Sequence, residues 1–131
     1  MVSIQAVVTP GRQEFFKGIQ YTDNGNAFVR LRGNLGSKDN PKWHEITVFG
    51  SELQLETIMK ALTKPDGGFT SLLVKAPARP RVYIANVMDP ETGEVTGQKE
   101  VLAFSTNFDK LSLWDNTQKA WVEAYKVLGL K

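Results

Sequence analysis

At 131 residues, with 41% hydrophobic and 23% charged side chains, the chain has the size and balance of one ordinary globular domain that buries its core without staples. It contains no cysteine, which excludes disulfides and any thiolate metal site. The formal net charge of +2 is too small to demand a polyanionic partner, so the placement of charges has to decide. Arg30, Arg32, Lys38 and Lys42 precede a central aromatic segment, and Lys75, Arg79 and Arg81 form a second basic group. The acids Glu52, Glu56, Asp89, Glu91 and Glu94 fall elsewhere, and on charge alone this reads as a mixed, solvated surface. Residues 1–5 lack the basic start and long apolar run of an export signal, and no apolar stretch approaches the roughly 18 residues of a spanning helix. The expected compartment is therefore the one in which the chain is made, with no membrane partner.

In chain order, Ile4 to Val8 reads as a strand closed by the turn pair Pro10-Gly11. Phe15 to Tyr21 is a short second run that ends at Asp23-Asn24-Gly25-Asn26, where Asn-Gly is a hairpin signal. Ala27 to Arg32 alternates with period two, and a polar loop from Gly36 to Pro41 leads into Trp43–Gly50. Ser51 opens a helix, with Gln54 at the capping-box position and Leu55, Ile58, Met59 and Leu62 at helical spacing. Lys64-Pro65-Asp66-Gly67-Gly68 ends it. Two strand-like runs follow, Phe69 to Ala76 and Arg81 to Val87. A turn-rich stretch at Asp89–Gly93 then leads to Glu100–Ser105 and Leu111–Leu113. From about Asp115, with Gln118 three residues on, Ala120, Trp121, Ala124, Tyr125 and Leu128 suggest a second, amphipathic helix.

Strands, one helix midway, and more strands predict an all-β fold with two helices. The arrangement expected is a five-stranded Greek-key barrel of the OB type, with one helix between strands three and four and another at the C-terminus. Residues 1–113 would form the barrel and 114–131 the C-terminal helix.

Little in the chain supports catalysis. His44 is the one histidine and points inward by strand parity, which suits a hydrogen-bonded core residue better than a ligand. No phosphate-cradling glycine motif occurs, and the carboxylates fall in helix faces and turns. No enzymatic activity, cofactor or metal is expected.

Binding fits better. Along a strand alternate residues share a face, so His44, Ile46 and Val48 oppose Trp43, Glu45, Thr47 and Phe49. Trp43 and Phe49 then lie on one side, roughly 20 Å apart. Arg30 and Arg32 alternate likewise, as do Arg79, Arg81 and Tyr83. Each aromatic has an ordinary reading: Trp43 as a strand-start residue, Phe49 as a staple for the helix, Tyr83 as a barrel tyrosine. Together with the arginines they resemble a surface for unpaired bases, where each stacked base contributes about 1–3 kcal/mol and cations follow the phosphates.

Three segments carry a family resemblance. Tyr21-Thr22-Asp23-Asn24-Gly25-Asn26-Ala27 followed by a strand to Arg32-Gly33-Asn34, then Lys42-Trp43-His44-Glu45-Ile46-Thr47-Val48-Phe49-Gly50 before a helix, then Arg79-Pro80-Arg81-Val82-Tyr83 before a long hairpin, resemble the bacterial and phage single-stranded DNA-binding proteins. The similarity covers about residues 2–113. It implies an OB barrel that assembles as a dimer or tetramer, binds single-stranded DNA in replication, recombination or repair, and resides in the bacterial cytoplasm or a phage-infected cell. It also implies base stacking by Trp43 and Phe49, with Tyr83 in place of a stacking tryptophan, and phosphate contacts from Arg32, Arg79 and Arg81. Arg30, Lys42 and Lys75 join these by charge and position. The loop from Gly33 to Trp43 lacks the additional tryptophan common in the family. The Gly/Pro-rich linker and acidic tip that recruit replication and repair proteins have no counterpart in residues 114–131, so recruitment of those partners does not follow from the resemblance. Two alternatives stand beside this reading: an OB-type adaptor of a primosome-like assembly, docking proteins through Trp121 and Tyr125, and a binder of single-stranded RNA.

Overall fold

The computed structural model describes residues 2–10 and 18–129. It is mostly β-sheet with two helices. Strand β1 (Val2–Thr9) buries Ile4, Ala6 and Val8 and exposes the residues between them, the period-two pattern that its sequence carries. The short β2 (Gln20–Tyr21) turns into β3 (Ala27–Asn34) through Thr22–Asn26. Gly25 there adopts a left-handed φ of 85°, and its N–H donates to the Thr22 carbonyl. Gly11 and the first three residues of the run expected from Phe15 to Tyr21 lie outside the described residues, and of the rest Gln20 and Tyr21 are strand.

Strand β4 (Trp43–Phe49) runs antiparallel to β3, and the helix α1 (Glu52–Ala61) follows. The expected capping box is present: the Ser51 hydroxyl accepts from the Gln54 N–H, and the Gln54 side chain accepts from the Ser51 N–H. Leu55, Ile58 and Leu62 are fully buried, and Met59 packs against the core from its rim.

The two runs expected over Phe69–Ala76 and Arg81–Val87 are one strand, β5 (Leu72–Met88). Proline has no N–H to give a ladder, which is why Pro77 and Pro80 read as a break. They fall where β5 changes partners: it pairs with β1 through Ala78 and with β6 (Val95–Asn107) from Arg79 onward. The Pro77 carbonyl is satisfied by the Thr106 hydroxyl at 2.8 Å.

The C-terminal helix expected over 114–131 is mostly not a helix. Strands β7 (Ser112–Asp115) and β8 (Ala120–Glu123) form a hairpin, and among the described residues of this segment only Ala124–Val127 is helical, as α2. Asp115 does cap, but it caps a turn: its carboxylate accepts from the N–H groups of Thr117 and Gln118, and Lys119 adopts a φ of 52°. Local side-chain bonding to the backbone thus wins over the apolar spacing from Ala120 to Leu128.

The sheet has 8 strands rather than the expected five, paired in the order β1-β3-β4-β6-β5-β7-β8, with β2 on β3 and an additional β1–β5 pairing. The β4–β6 pair is parallel, and α1 lies between β4 and β5 in the chain. The inward residues of these strands meet Leu55, Ile58 and Leu62 of α1, and Phe108 of a 3-10 turn, in one core. Gly33 is an inward position of β3 with no room for a side chain. A Cβ there would lie 2.3 Å from Ile46 Cδ1 and 3.2 Å from Ala6 Cβ. Overpacking of this kind costs about 1–3 kcal/mol, so Gly33→Val is expected to lower the unfolding free energy by that margin, read as a lower urea midpoint at unchanged slope, while far-UV circular dichroism keeps its β signature.

Candidate nucleic-acid interface

The pairing registers decide which side chains share the outer surface. Phe28 lies opposite Phe49, Arg30 opposite Thr47, Arg32 opposite Glu45 and Asn34 opposite Trp43. Beyond β4, the parallel register sets Glu45 beside Ala103 and Thr47 beside Ser105. On β5, Arg79, Arg81 and Tyr83 face Ser105, Ala103 and Val101. The outer side of β3, β4, β6 and β5 therefore collects Arg30, Arg32, Trp43, Phe49, Arg79, Arg81 and Tyr83 on one surface.

Trp43 is held by the loop before it. The Asn34 side-chain oxygen accepts from the N–H groups of Gly36 at 2.9 Å and Lys42 at 2.8 Å, and the Leu35 N–H donates to the Lys42 carbonyl. This clamp starts β4 at Trp43, directly across from Asn34, and leaves the residue 46% exposed, far more than a core tryptophan. Lys42 is exposed beside it, its backbone rather than its ammonium making the ordered contact.

Cations sit over rings three times on this surface. The guanidinium of Arg32 lies 5.5 Å from the Trp43 centroid, Arg30 lies 5.8 Å from Phe28, and Arg81 lies 5.7 Å from Tyr83. These are cation–π distances, and each contact holds a mobile side chain in a defined place. Phe49 packs on Phe28, with centroids 5.6 Å apart and the rings tilted by 47°.

Glu45 lies among these groups. It accepts from the Tyr83 hydroxyl at 2.8 Å and pairs with Arg30 at 3.6 Å. Burial pushes the Tyr83 phenol above its ordinary value of 10.0, and the hydrogen bond to the Glu45 carboxylate pushes it the same way. A groove of about 680 Å³ is lined by Arg30, Arg32, Trp43 and Glu45 together with Tyr83 and Lys99. Phe49 and Arg79 line a separate depression of about 240 Å³ with Lys110.

Lys75 stands apart from the groove. Its ammonium lies 5.8 Å from the Trp121 centroid, beside the β7–β8 hairpin. His44 is half-buried, with Nδ1 3.1 Å from the Leu102 carbonyl and its ring edge-on to Phe104, the hydrogen-bonded role expected for it. Sequence reasoning passed over Phe28 and Lys99 and gave Glu45 no role. Phe28 was accessible from parity, because it alternates with Arg30 and Arg32. Lys99 had no such signal, since its place depends on how β5 and β6 pair.

Comparison with protein-family models and with curated proteins found no match to this chain.

The Tyr83–Glu45 hydrogen bond needs the phenol proton. Because the folded phenol titrates above its unfolded value, the bond's contribution is fully present below pH 10.0 and fades as pH climbs through the raised value. Tyr83→Phe is expected to remove one tyrosinate absorbance transition above that pH. The thermal-stability margin of the wild type over this variant should shrink only on the alkaline side.

Proposed function

We propose that the chain binds single-stranded DNA without regard to sequence, holding unpaired bases against Trp43, Phe49 and Tyr83 while Arg30, Arg32, Arg79 and Arg81 follow the phosphates. The observation that carries this reading is the repeated placement of an arginine guanidinium over a ring on one outer sheet surface. Unpaired bases offer flat π-faces and a charged backbone, and alternating rings and guanidinium groups match both at once. Trp43, nearly half exposed, lies beside a groove whose charged lining is Arg30, Arg32 and Lys99 with Glu45 and Glu100, a setting that suits a ring-bearing anionic ligand.

The finer fold belongs to the same proposal. Strands β1, β3, β4, β6 and β5, with β5 returning to β1, make a five-membered circuit of pairings, and β2, β7 and β8 are additions to it. The parallel β4–β6 pair and the helix between β4 and β5 support reading that circuit as an OB-type barrel. In such a barrel the outer surface of the second and third strands is a common seat for oligonucleotides, and Arg30, Arg32 and Trp43 lie on the corresponding β3 and β4. Action in replication, recombination or repair, and assembly as a dimer or tetramer, follow from the resemblance of the Trp43–Gly50 segment to the single-stranded DNA-binding family.

Trp43→Ala combined with Phe49→Ala is expected to weaken binding to oligo-dT by about 1–3 kcal/mol per lost stacked base. Unchanged affinity in a titration at fixed salt would overturn the stacking surface. Glu45→Gln frees Arg30 and keeps an acceptor for Tyr83. It should tighten oligo-dT binding by roughly twofold to fivefold at low salt, the scale of a surface ion pair, with the gain fading as salt rises.

A further inference from the structure

Strand β5 carries its outward side chains well past the groove. Lys75, Pro77, Arg79, Arg81 and Tyr83 share one parity, and the first four are exposed. At about 3.3 Å per residue, Lys75 lies roughly 26 Å along the strand from Tyr83. The basic side chains therefore form a line, not a cluster. Lys75 pairs with Ser112, which places Ser112 and Trp114 on the same outer side, and Trp114 pairs directly with Trp121. The two indoles meet edge to face with centroids 5.5 Å apart, and the Lys75 ammonium lies 5.8 Å from the Trp121 centroid. Trp114 stays 37% exposed. The depression that holds Phe49, Pro77, Arg79 and Lys110 lies between this pair and the groove. Aromatic rings joined to cations thus occur at both ends of one basic track.

We propose that the β7–β8 hairpin is a second station for unpaired bases. A single strand leaving the groove would pass Phe49, Arg79 and Lys110 and reach Trp114 and Trp121, with Lys75 on its phosphates. The proposal rests on the single-stranded DNA reading above and extends it in length: the chain occludes more nucleotides than the groove alone accounts for. The Trp pair also stabilises its hairpin as a cross-strand contact. That role explains the edge-to-face packing but not the lysine over the ring or the basic line leading to it.

The test compares short and long oligo-dT, about 8 and about 25 nucleotides, spanning the site sizes known for such domains. With the intact chain, Trp114→Ala should lower affinity for the long oligomer by roughly tenfold, the loss of one stacked base. The short oligomer, which reads the groove, should bind as before. Lys75→Ala, which leaves the hairpin aromatics in place, should reduce the salt dependence of long-oligomer binding. Trp43→Phe leaves Trp114 and Trp121 as the remaining tryptophans of the three in the chain. Their emission should be quenched by saturating long oligomer and not by short. No quenching, together with unchanged long-oligomer affinity in both Trp114→Ala and Lys75→Ala, would overturn the second station and leave the Trp pair as a hairpin clasp or a protein-docking face. If the wild type bound neither oligomer, the single-stranded DNA reading itself would fall. Should Trp114→Ala unfold, the Lys75→Ala and Trp43→Phe measurements decide alone.

Discussion

Strand β5 changes partners partway along its 17 residues, and the arrangement of the outer surface depends on that change. Its first part is zipped to β1, where the inward residues Val74, Ala76 and Ala78 are sealed in the core. From Arg79 it is zipped to β6, and β6 in turn runs parallel to β4. Only through this relay do Arg81 and Tyr83, more than thirty residues away in sequence, come to face Glu45. The two prolines sit at the changeover, one with its carbonyl taken by Thr106. There a residue without an N–H does least harm to the ladder.

The surface so assembled is electrostatically balanced. Arg30, Arg32 and Arg81 each lie over a ring, and Glu45 sits among them as a shared acceptor for Arg30 and Tyr83. A carboxylate in this place opposes a polyanion, yet it also fixes the phenol and one guanidinium in position. Under the proposed function the surface exchanges some affinity for order. This also accounts for a net charge as low as +2 in a chain read as binding DNA, because charge is concentrated where it is needed and offset elsewhere.

Much of this was legible in the residues. Parity along Trp43–Phe49 separated Ile46 and Val48 from Trp43, Glu45 and Phe49, and the structure buries the first pair and leaves the others at the surface. The capping box at Ser51 and Gln54 was legible because it is a local contact over three residues. The C-terminal hairpin was not. Ala120, Trp121, Ala124, Tyr125 and Leu128 have helical spacing, and nothing local reveals that Ser112 finds a partner in Lys75 across the sheet. The number of strands was underestimated for the same reason. Two of the additions, β7 and β8, exist because tertiary pairing gives them an edge to join, and β2 is only two residues long.

The far part of the β5–β6 ribbon has a different mechanical character from the rest. Past Pro80 the side of the ribbon that would face the core carries Val82, Ile84, Met88, Val95 and Leu102, all exposed, so among the described residues no packed layer braces it. A two-stranded ribbon without such a layer opens at much lower free energy than a strand sealed into a core. The groove is thus lined by Trp43 from a strand packed on the core and by Lys99 from the far, exposed part of the ribbon. Under the proposed function, such a lining would accommodate purines and pyrimidines of unequal bulk by movement of the ribbon alone, the tolerance that sequence-independent binding requires.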